Sequence, residues 1–343
     1  MRRRSVLLLA AATVAAVGTG CSSPPRVDRR DATRPTAPFY VDPTSQAARN
    51  EAARNRTAPN RTAPNRTAGT PADTGVSRIA SEPMAVTLNG ESTDTAVLAR
   101  AVAGARTAQR TLVLQVYDLP RRDVSGGFSA GGARDAAEYR RFTAAVATAI
   151  QGVPTVVVLE PDSLGQISDL PPADQQVRYD LLNAAVDAYA GVGGVAVYLD
   201  GTHSGWLEAS EMANRLQRAG VDRAQGFAVN VANFQSTDAE GHRGEQISDL
   251  TGGAHYVVDT SRNGAQAPAG SAGGNDAGNP SSWCNPGGQR LGVTPTTRTA
   301  FARADAYLWI KRPGESDGAC GPGQPNAGQW FPSAAAELLG RSQ

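Results

Sequence analysis

TVVVLEPD, residues 155–162, is an apolar, strand-like run that ends on two carboxylates around a proline. The same pattern recurs along the chain. Residues 112–117 run into Asp118 and then Asp123, and residues 195–199 end at Asp200 with His203 and Trp206 close behind. Residues 227–229 open onto Asn230 and Asn233, 256–258 onto Asp259, and 307–310 onto Lys311, Glu315 and Asp317. Helical patterns lie between these runs. They cover 93–109, 135–150 (stripe Tyr139, Phe142, Val146, Ile150), 173–189 (stripe Val177, Leu181, Ala185, Tyr189) and 208–219, stopped by Gly220. Strand–helix alternation implies right-handed parallel crossovers and an α/β fold. Spacing alone leaves both a barrel and an open doubly wound sheet standing, although no glycine-rich phosphate motif follows any strand. In a parallel barrel all strand C-termini share one face, and the active site is built there. Acids delivered repeatedly to that face point to an enzyme that works with carboxylates.

Outside this alternation the composition changes. Residues 1–21, MRRRSVLLLAAATVAAVGTGC, have a basic start, an apolar stretch too short to span a bilayer and small residues at the end, which reads as an export signal. Arg2, Arg3 and Arg4 permit a twin-arginine route. Cys21 follows Gly-Thr-Gly as at a lipoprotein cleavage site, with Gly18 where leucine is usual. It is the lipidation candidate and the one membrane link expected. Residues 22–37 are polar and Pro/Arg-rich and read as a disordered tether; PFYVDP at 38–43 looks ordered. A low-complexity insertion is expected at 50–76, built on the NRTAP repeat of 55–68. Residues 264–288 read as a long surface loop that carries Trp283 to the mouth of the site.

With 343 residues, 40% of them hydrophobic, the chain can bury one large core. A formal charge of +1 argues against nucleic acid as a partner. Export implies an oxidising compartment, where Cys284 and Cys320 are expected to pair and tie two late loops together, leaving Cys21 unpaired. Every basic residue but Lys311 is arginine. Either that amine is kept for its compact charge or its survival is chance. No cysteine–histidine cluster has metal-ligand spacing and no Ser/His/Asp order stands out, so neither metal nor cofactor is expected. His242 and His255 read as ordinary histidines.

Read from the residues alone, the leading chemistry is acid–base work on a sugar. One protonated carboxyl protonates the leaving oxygen while a second carboxylate acts from the opposite face. Neighbouring acids push their pKa values apart, which supplies the protonated partner. Asp123, Asp162, Asp200 and Asp317 are placed to share one mouth, and Trp206 and Trp283 offer flat apolar faces to a pyranose. Two alternatives stay open: Asp200 as a cap for the segment after it, and Trp206 as helix packing. Trp309 and Trp330 read as core.

Seven ordered motifs, YDLPRRD, LEPDSL, YLDGTHSGW, NVANF, DTSRNG, WCNPGGQRLG and WIKRPGESDG, resemble glycoside hydrolase family 6, the inverting β-1,4-glucanases acting on cellulose. The resemblance covers residue 38 to the C-terminus apart from the insertion. It implies a distorted, incomplete α/β barrel of parallel strands with its groove across the strand C-termini. It also implies roles. Asp162 matches the proton donor, Asp123 the aspartate that raises the donor's pKa and helps organise the attacking water, and Ser129 a mobile serine that helps hold that water. Asp317 matches the candidate base. Tyr117, His203, Trp206, Asn233, Trp283, Lys311 and Glu315 match sugar-contacting positions, and Asp200 an acid behind them. Four departures accompany the match. Val124 stands where the family often has a disulfide cysteine, and no cysteine follows Asp162 nearby. Thr87 and Leu88 replace a Trp–Phe pair, and Gly201-Thr202 replace Ala-Gly. The link from Asp317 to the C-terminus is short, which favours an open cleft and endo-type cleavage. The expected partner is therefore a β-glucan or cello-oligosaccharide, acted on by a monomer that is secreted or envelope-anchored. The alternative from another class is an exported glycan-binding lipoprotein with weak or lost hydrolase activity.

Overall fold

The computed structural model describes residues 33–57, 73–268 and 280–340. The expected export signal with Cys21, most of the expected tether and the centre of the insertion lie outside the described residues. Seven strands, β1 (Val86–Leu88), β2 (Leu112–Val116), β3 (Thr155–Leu159), β4 (Val195–Asp200), β5 (Gly226–Val229), β6 (His255–Asp259) and β7 (Ala304–Leu308), form one sheet in the order of the chain. Every neighbouring pair is parallel. A doubly wound sheet needs a reversal of strand order, and there is none. The sheet curls in one direction into an incomplete barrel. β1 and β7 share no ladder, but beside them the Ala85 N–H donates to the Trp309 carbonyl at 2.9 Å.

Helices α1 (Gln46–Thr57) and α2 (Asp73–Ala80) precede β1, and helices α3 (Asp94–Ala108), α4 (Ala136–Ala149), α5 (Pro172–Ala190), α6 (Ala209–Arg218) and α7 (Thr237–Leu250) fill the crossovers from β1 to β6. Capping fixes two of their starts: Asp135 accepts from the Glu138 N–H at 2.8 Å and Ser236 from the Ala239 N–H at 3.2 Å. Strand side chains alternate with period two. Val113, Val156, Val158, Ala196, Tyr198, Val257 and Leu308 point inward and fill the barrel. Leu112, Leu114, Val157, Leu159, Val197, Phe227 and Val258 pack outward against the helices. Strands apolar on both faces are the mark of a covered parallel sheet.

Three sequence expectations shift. Val177 is 47% exposed, and the buried stripe of α5 runs instead through Arg178, Leu181, Ala185 and Tyr189. Arg178 replaces an aliphatic side chain because it donates to the carbonyls of Ser163 (3.2 Å) and Arg121 (2.8 Å). Residues 33–37, read as the end of the tether, are docked. Arg34 pairs at 2.7 Å with Asp305, a buried carboxylate at the start of β7 that also accepts from Tyr198 and Gln225. Residues 50–57, read as low-complexity insertion, continue helix α1 (Gln46–Thr57), whose Ala, Arg and Glu residues favour helix. Trp309 is buried with Ile79 and Met84 where the sheet ends meet, and Trp330, half-buried, packs against that cluster.

Candidate active site

At the strand C-termini the carboxylates divide into two groups. Glu160, Asp200 and Asp259 are 0–1% exposed and act as braces. Each reaches sideways to backbone N–H groups of a neighbouring strand's loop. Glu160 accepts from Asp118 (3.0 and 3.1 Å) and Leu119 (3.0 Å) after β2. Asp200 accepts from the Asp162 N–H at 2.9 Å after β3. Asp259 accepts from Ala232 (3.0 Å) after β5 and from Ile310 (3.2 Å) and Lys311 (2.9 Å) after β7. Burial pushes Glu160 and Asp200 up to about 7 and raises Asp259 as well, because a carboxylate loses hydration there faster than N–H donors replace it. Much of the acidity seen in the sequence is thus scaffolding.

The braces hold strained backbone. Asp123, Glu160, Asp162, Thr202, Asn230 and Ala232 all adopt positive φ between 53° and 64°. Such residues cost on the order of 1–3 kcal/mol each and persist where their surroundings over-determine them. Here the strain turns the chain sharply off each strand and aims side chains across the barrel mouth.

The second group lines a cleft of about 410 Å³ at that mouth. Its walls include Tyr117, Asp123, Ser129, Asp162, Trp283, Lys311, Glu315 and Asp317, so eight of the residues marked in the sequence meet in one place. The Tyr117 phenol is driven well up by burial and then by the charges of Asp162 and Asp123, which places both carboxylates within its electrostatic reach. Asp123 Oδ2 accepts from the Ser129 N–H at 2.6 Å. Arg122 fastens that loop by donating to the carbonyls of Ser129 (2.8 Å), Asn89 (2.7 Å) and Tyr117 (2.5 Å). Trp283 meets Phe128 edge-on at 5.6 Å across the cleft. Past Thr87 and Asn89 the cleft opens into a second, polar groove of about 460 Å³ flanked by Gln46, Arg49 and Arg312.

Asp317 sits between two cations. Arg262 Nη1 reaches its two oxygens at 2.9 and 2.7 Å, and Lys311 Nζ lies 3.1 Å away. Burial works to raise its pKa, but Arg262 and Lys311 more than offset this and hold the carboxyl below the usual carboxylate range. Asn285 closes the site, donating its N–H to Asp317 Oδ2 at 3.0 Å and accepting the Asp317 N–H at 2.8 Å. Its neighbour Cys284 forms a disulfide with Cys320, as the cysteine count suggested, tying the Trp283 loop to the Asp317 loop.

The profile of Glycosyl hydrolases family 6 matches residues 35–342. The chain belongs to this family. Endoglucanase 1 of Streptomyces halstedii is 36% identical, over 99% of both chains. Endoglucanase A of Cellulomonas fimi is 38% identical over 89% of this chain, which spans 61% of that protein's length. Among solved structures, the endoglucanase Cel6 of Mycobacterium tuberculosis, in complex with a methyl-cellobiosyl-thio-cellobioside, superposes with a TM-score of 0.77 at 42% identity. That match covers 90% of this chain and 98% of that one.

Within this family 6 site, four marked residues stand away from the cleft lining. Asp200 is spent on the Asp162 backbone. His203 is 1% exposed, and burial, then Arg243, lowers its pKa to about 3, so it is a neutral ring accepting from the Gly205 N–H at 3.2 Å. Trp206 packs beside it at 5.8 Å and over Gly165, where a Cβ would lie 2.7 Å from the indole. The Asn233 side chain donates back to the Val231 carbonyl at 2.9 Å. Conversely, Arg262 and Asn285 lay inside motifs without a role assigned, and Gln166 lay outside every motif. Their partners are distant in sequence, so no local pattern marked them.

Proposed function

We propose that this family 6 chain is an inverting endo-β-1,4-glucanase acting on cellulose or related β-glucans. The observation that carries the reading is the meeting of Asp162, Asp123 and Asp317 with Tyr117 and Trp283 in one cleft across the strand C-termini. Asp162, turned into the cleft by its positive φ and held through its N–H by Asp200, gives its proton to the bridging oxygen. Inversion needs a water on the opposite face of the sugar. The Asp123–Ser129 side orients that water and keeps the donor's proton in place by repulsion. Asp317 stays ionised, and with its lone pairs engaged by Arg262, Lys311 and Asn285 it is a poor proton acceptor. Its part is to balance the positive charge that develops on the ring. Trp283 supplies the apolar face for a glucose unit. The groove beyond Thr87 leaves that end of the cleft unblocked, which suits cleavage within a chain. The export signal and the lipid anchor at Cys21 complete the proposal: a monomer delivered to the outside, secreted or held at the envelope.

The test is Asp162→Asn assayed on carboxymethyl-cellulose and cello-oligosaccharides. Turnover should fall by about 10²-fold or more while oligosaccharide binding persists. Undiminished turnover in the variant ends the assignment. Binding by the wild type without release of reducing ends at any pH from 4 to 8 would instead identify a glycan-binding protein.

A further inference from the structure

Gln166 lies on the 3₁₀ turn Gly165–Asp169, is 1% exposed, and sits between the core residues Leu164 and Ile167. Three of its polar groups are engaged at once. Its N–H donates to the Asp162 carbonyl at 2.9 Å, its Oε1 accepts from the Val124 N–H at 2.9 Å, and its Nε2 donates to Asp123 Oδ1 at 3.3 Å. One residue therefore touches the backbone of the proton donor and the carboxylate of its neighbour. The Val124 bond sets the sense of the amide: with its oxygen taken by an N–H, the NH₂ half faces Asp123.

The other oxygen of Asp123 is held by the Ser129 N–H. Both donors are anchored through carbonyls: Arg122 holds that of Ser129 at 2.8 Å, and two arginines hold those beside Gln166. Ser129 belongs to the segment 125–132, in which Gly127, Gly131 and Gly132 adopt positive φ. Gln166 follows a stretch of carbonyls held by arginines: Arg215 donates to Leu164 (2.6 Å) and Gly165 (3.1 Å), and Arg178 to Ser163 (3.2 Å). Arg178 also donates to the Arg121 carbonyl, so it too joins the loops after β2 and β3.

We propose that Gln166 is a positioning residue for the reaction, fixing the Asp123 carboxylate in register with Asp162 through the oxygen that Ser129 does not hold. This rests on the hydrolase reading above. Gln166→Glu and Gln166→Leu separate positioning from packing. The first variant keeps the volume and the acceptor for the Val124 N–H, but turns an oxygen instead of an NH₂ toward Asp123. The second removes both bonds. The ionisable groups around this position are Asp123, Asp162, Tyr117, Glu160 and Asp169, with Arg122, Arg178 and Arg215 on the loop backbones; Glu160 titrates in both wild type and variants, so only the difference between them reports the introduced carboxyl.

On cellotetraose at pH 7, both variants should lose about tenfold to a hundredfold in kcat, the scale of a misplaced catalytic group. KM should stay within about twofold, because the contact serves the transition state rather than ground-state binding. In Gln166→Glu alone, activity relative to wild type should recover between pH 7 and 5, as the introduced carboxyl gains a proton and becomes a donor again. Wild-type kcat in Gln166→Leu overturns the proposal. So does an equal loss in both variants, without pH recovery and with a matching fall in Tm, which makes the residue packing only. The hydrolase reading fails separately, through an active Asp162→Asn.

Discussion

Arg262→Leu probes the charge balance under Asp317. In the native site Arg262 Nη1 contacts both carboxylate oxygens, and the two side chains are 5% and 7% exposed. At an effective dielectric of 20 and a charge separation near 4 Å, the attraction is about 4 kcal/mol. Removing one partner of a buried pair costs about 3–5 kcal/mol, because the remaining charge stays buried and unpaired. Lys311, 3.1 Å from the same carboxylate, remains and holds the loss to the lower end, about 3 kcal/mol at pH 7. The pH dependence follows from the sign of the shift. The native carboxyl titrates below its ordinary value, so its contribution is present above the unfolded value and lost as pH falls through the folded one. Without Arg262, burial is offset less and the carboxyl is protonated more readily, so lowering the pH removes a charge that Lys311 alone compensates only in part. Urea unfolding of wild type and variant at pH 7 and pH 4 reads this directly. The stability gap should be about 3 kcal/mol at pH 7 and clearly smaller at pH 4. A gap below about 1 kcal/mol, typical of surface pairs, or one unchanged with pH, would refute the reasoning. Arg262→Lys should close most of the gap.

Two further outcomes follow from the same geometry. Glu160, Asp200 and Glu240 are each raised to about 7, with burial the leading cause, so the folded protein retains protons that the unfolded chain releases above about 4. Stability should therefore fall as pH rises from 5 to 8, with Tm dropping by on the order of 5 °C in calorimetry, and a Tm that rises over this range contradicts the assignment. Replacing Cys284 and Cys320 with serine opens a crosslink of sequence separation 36, worth about 4 kcal/mol in the chain-entropy model. Tm and activity should fall together, because Asn285 beside Cys284 holds Asp317, and a Tm drop with unchanged kcat would uncouple the two loops.

The sequence made the fold legible where its residues repeat a local rule. Runs such as 155–159 and 195–199, each followed by a helical stripe, require a parallel α/β layer arrangement. They could not choose between barrel and open sheet, because strand order is a property of long-range pairing. Asp123, Asp162 and Asp317 were legible because they sit in dense motifs. The division of strand-end acids into braces and cleft residues was not, because Glu160 and Asp162 read alike until backbone N–H partners are known. The positive φ at Asp162 and Glu160 sends adjacent carboxylates in different directions. Arg178 broke the expected stripe of α5 for a similar reason: its partners are carbonyls of two loops far away in the chain.

In the proposed reaction Asp162 protonates the bridging oxygen while water attacks the opposite face. The anomer first released from cellotetraose, followed by proton NMR before mutarotation, tests it most directly. Inversion gives α-configured product from the β-bond; initial release of the β-anomer would rule it out.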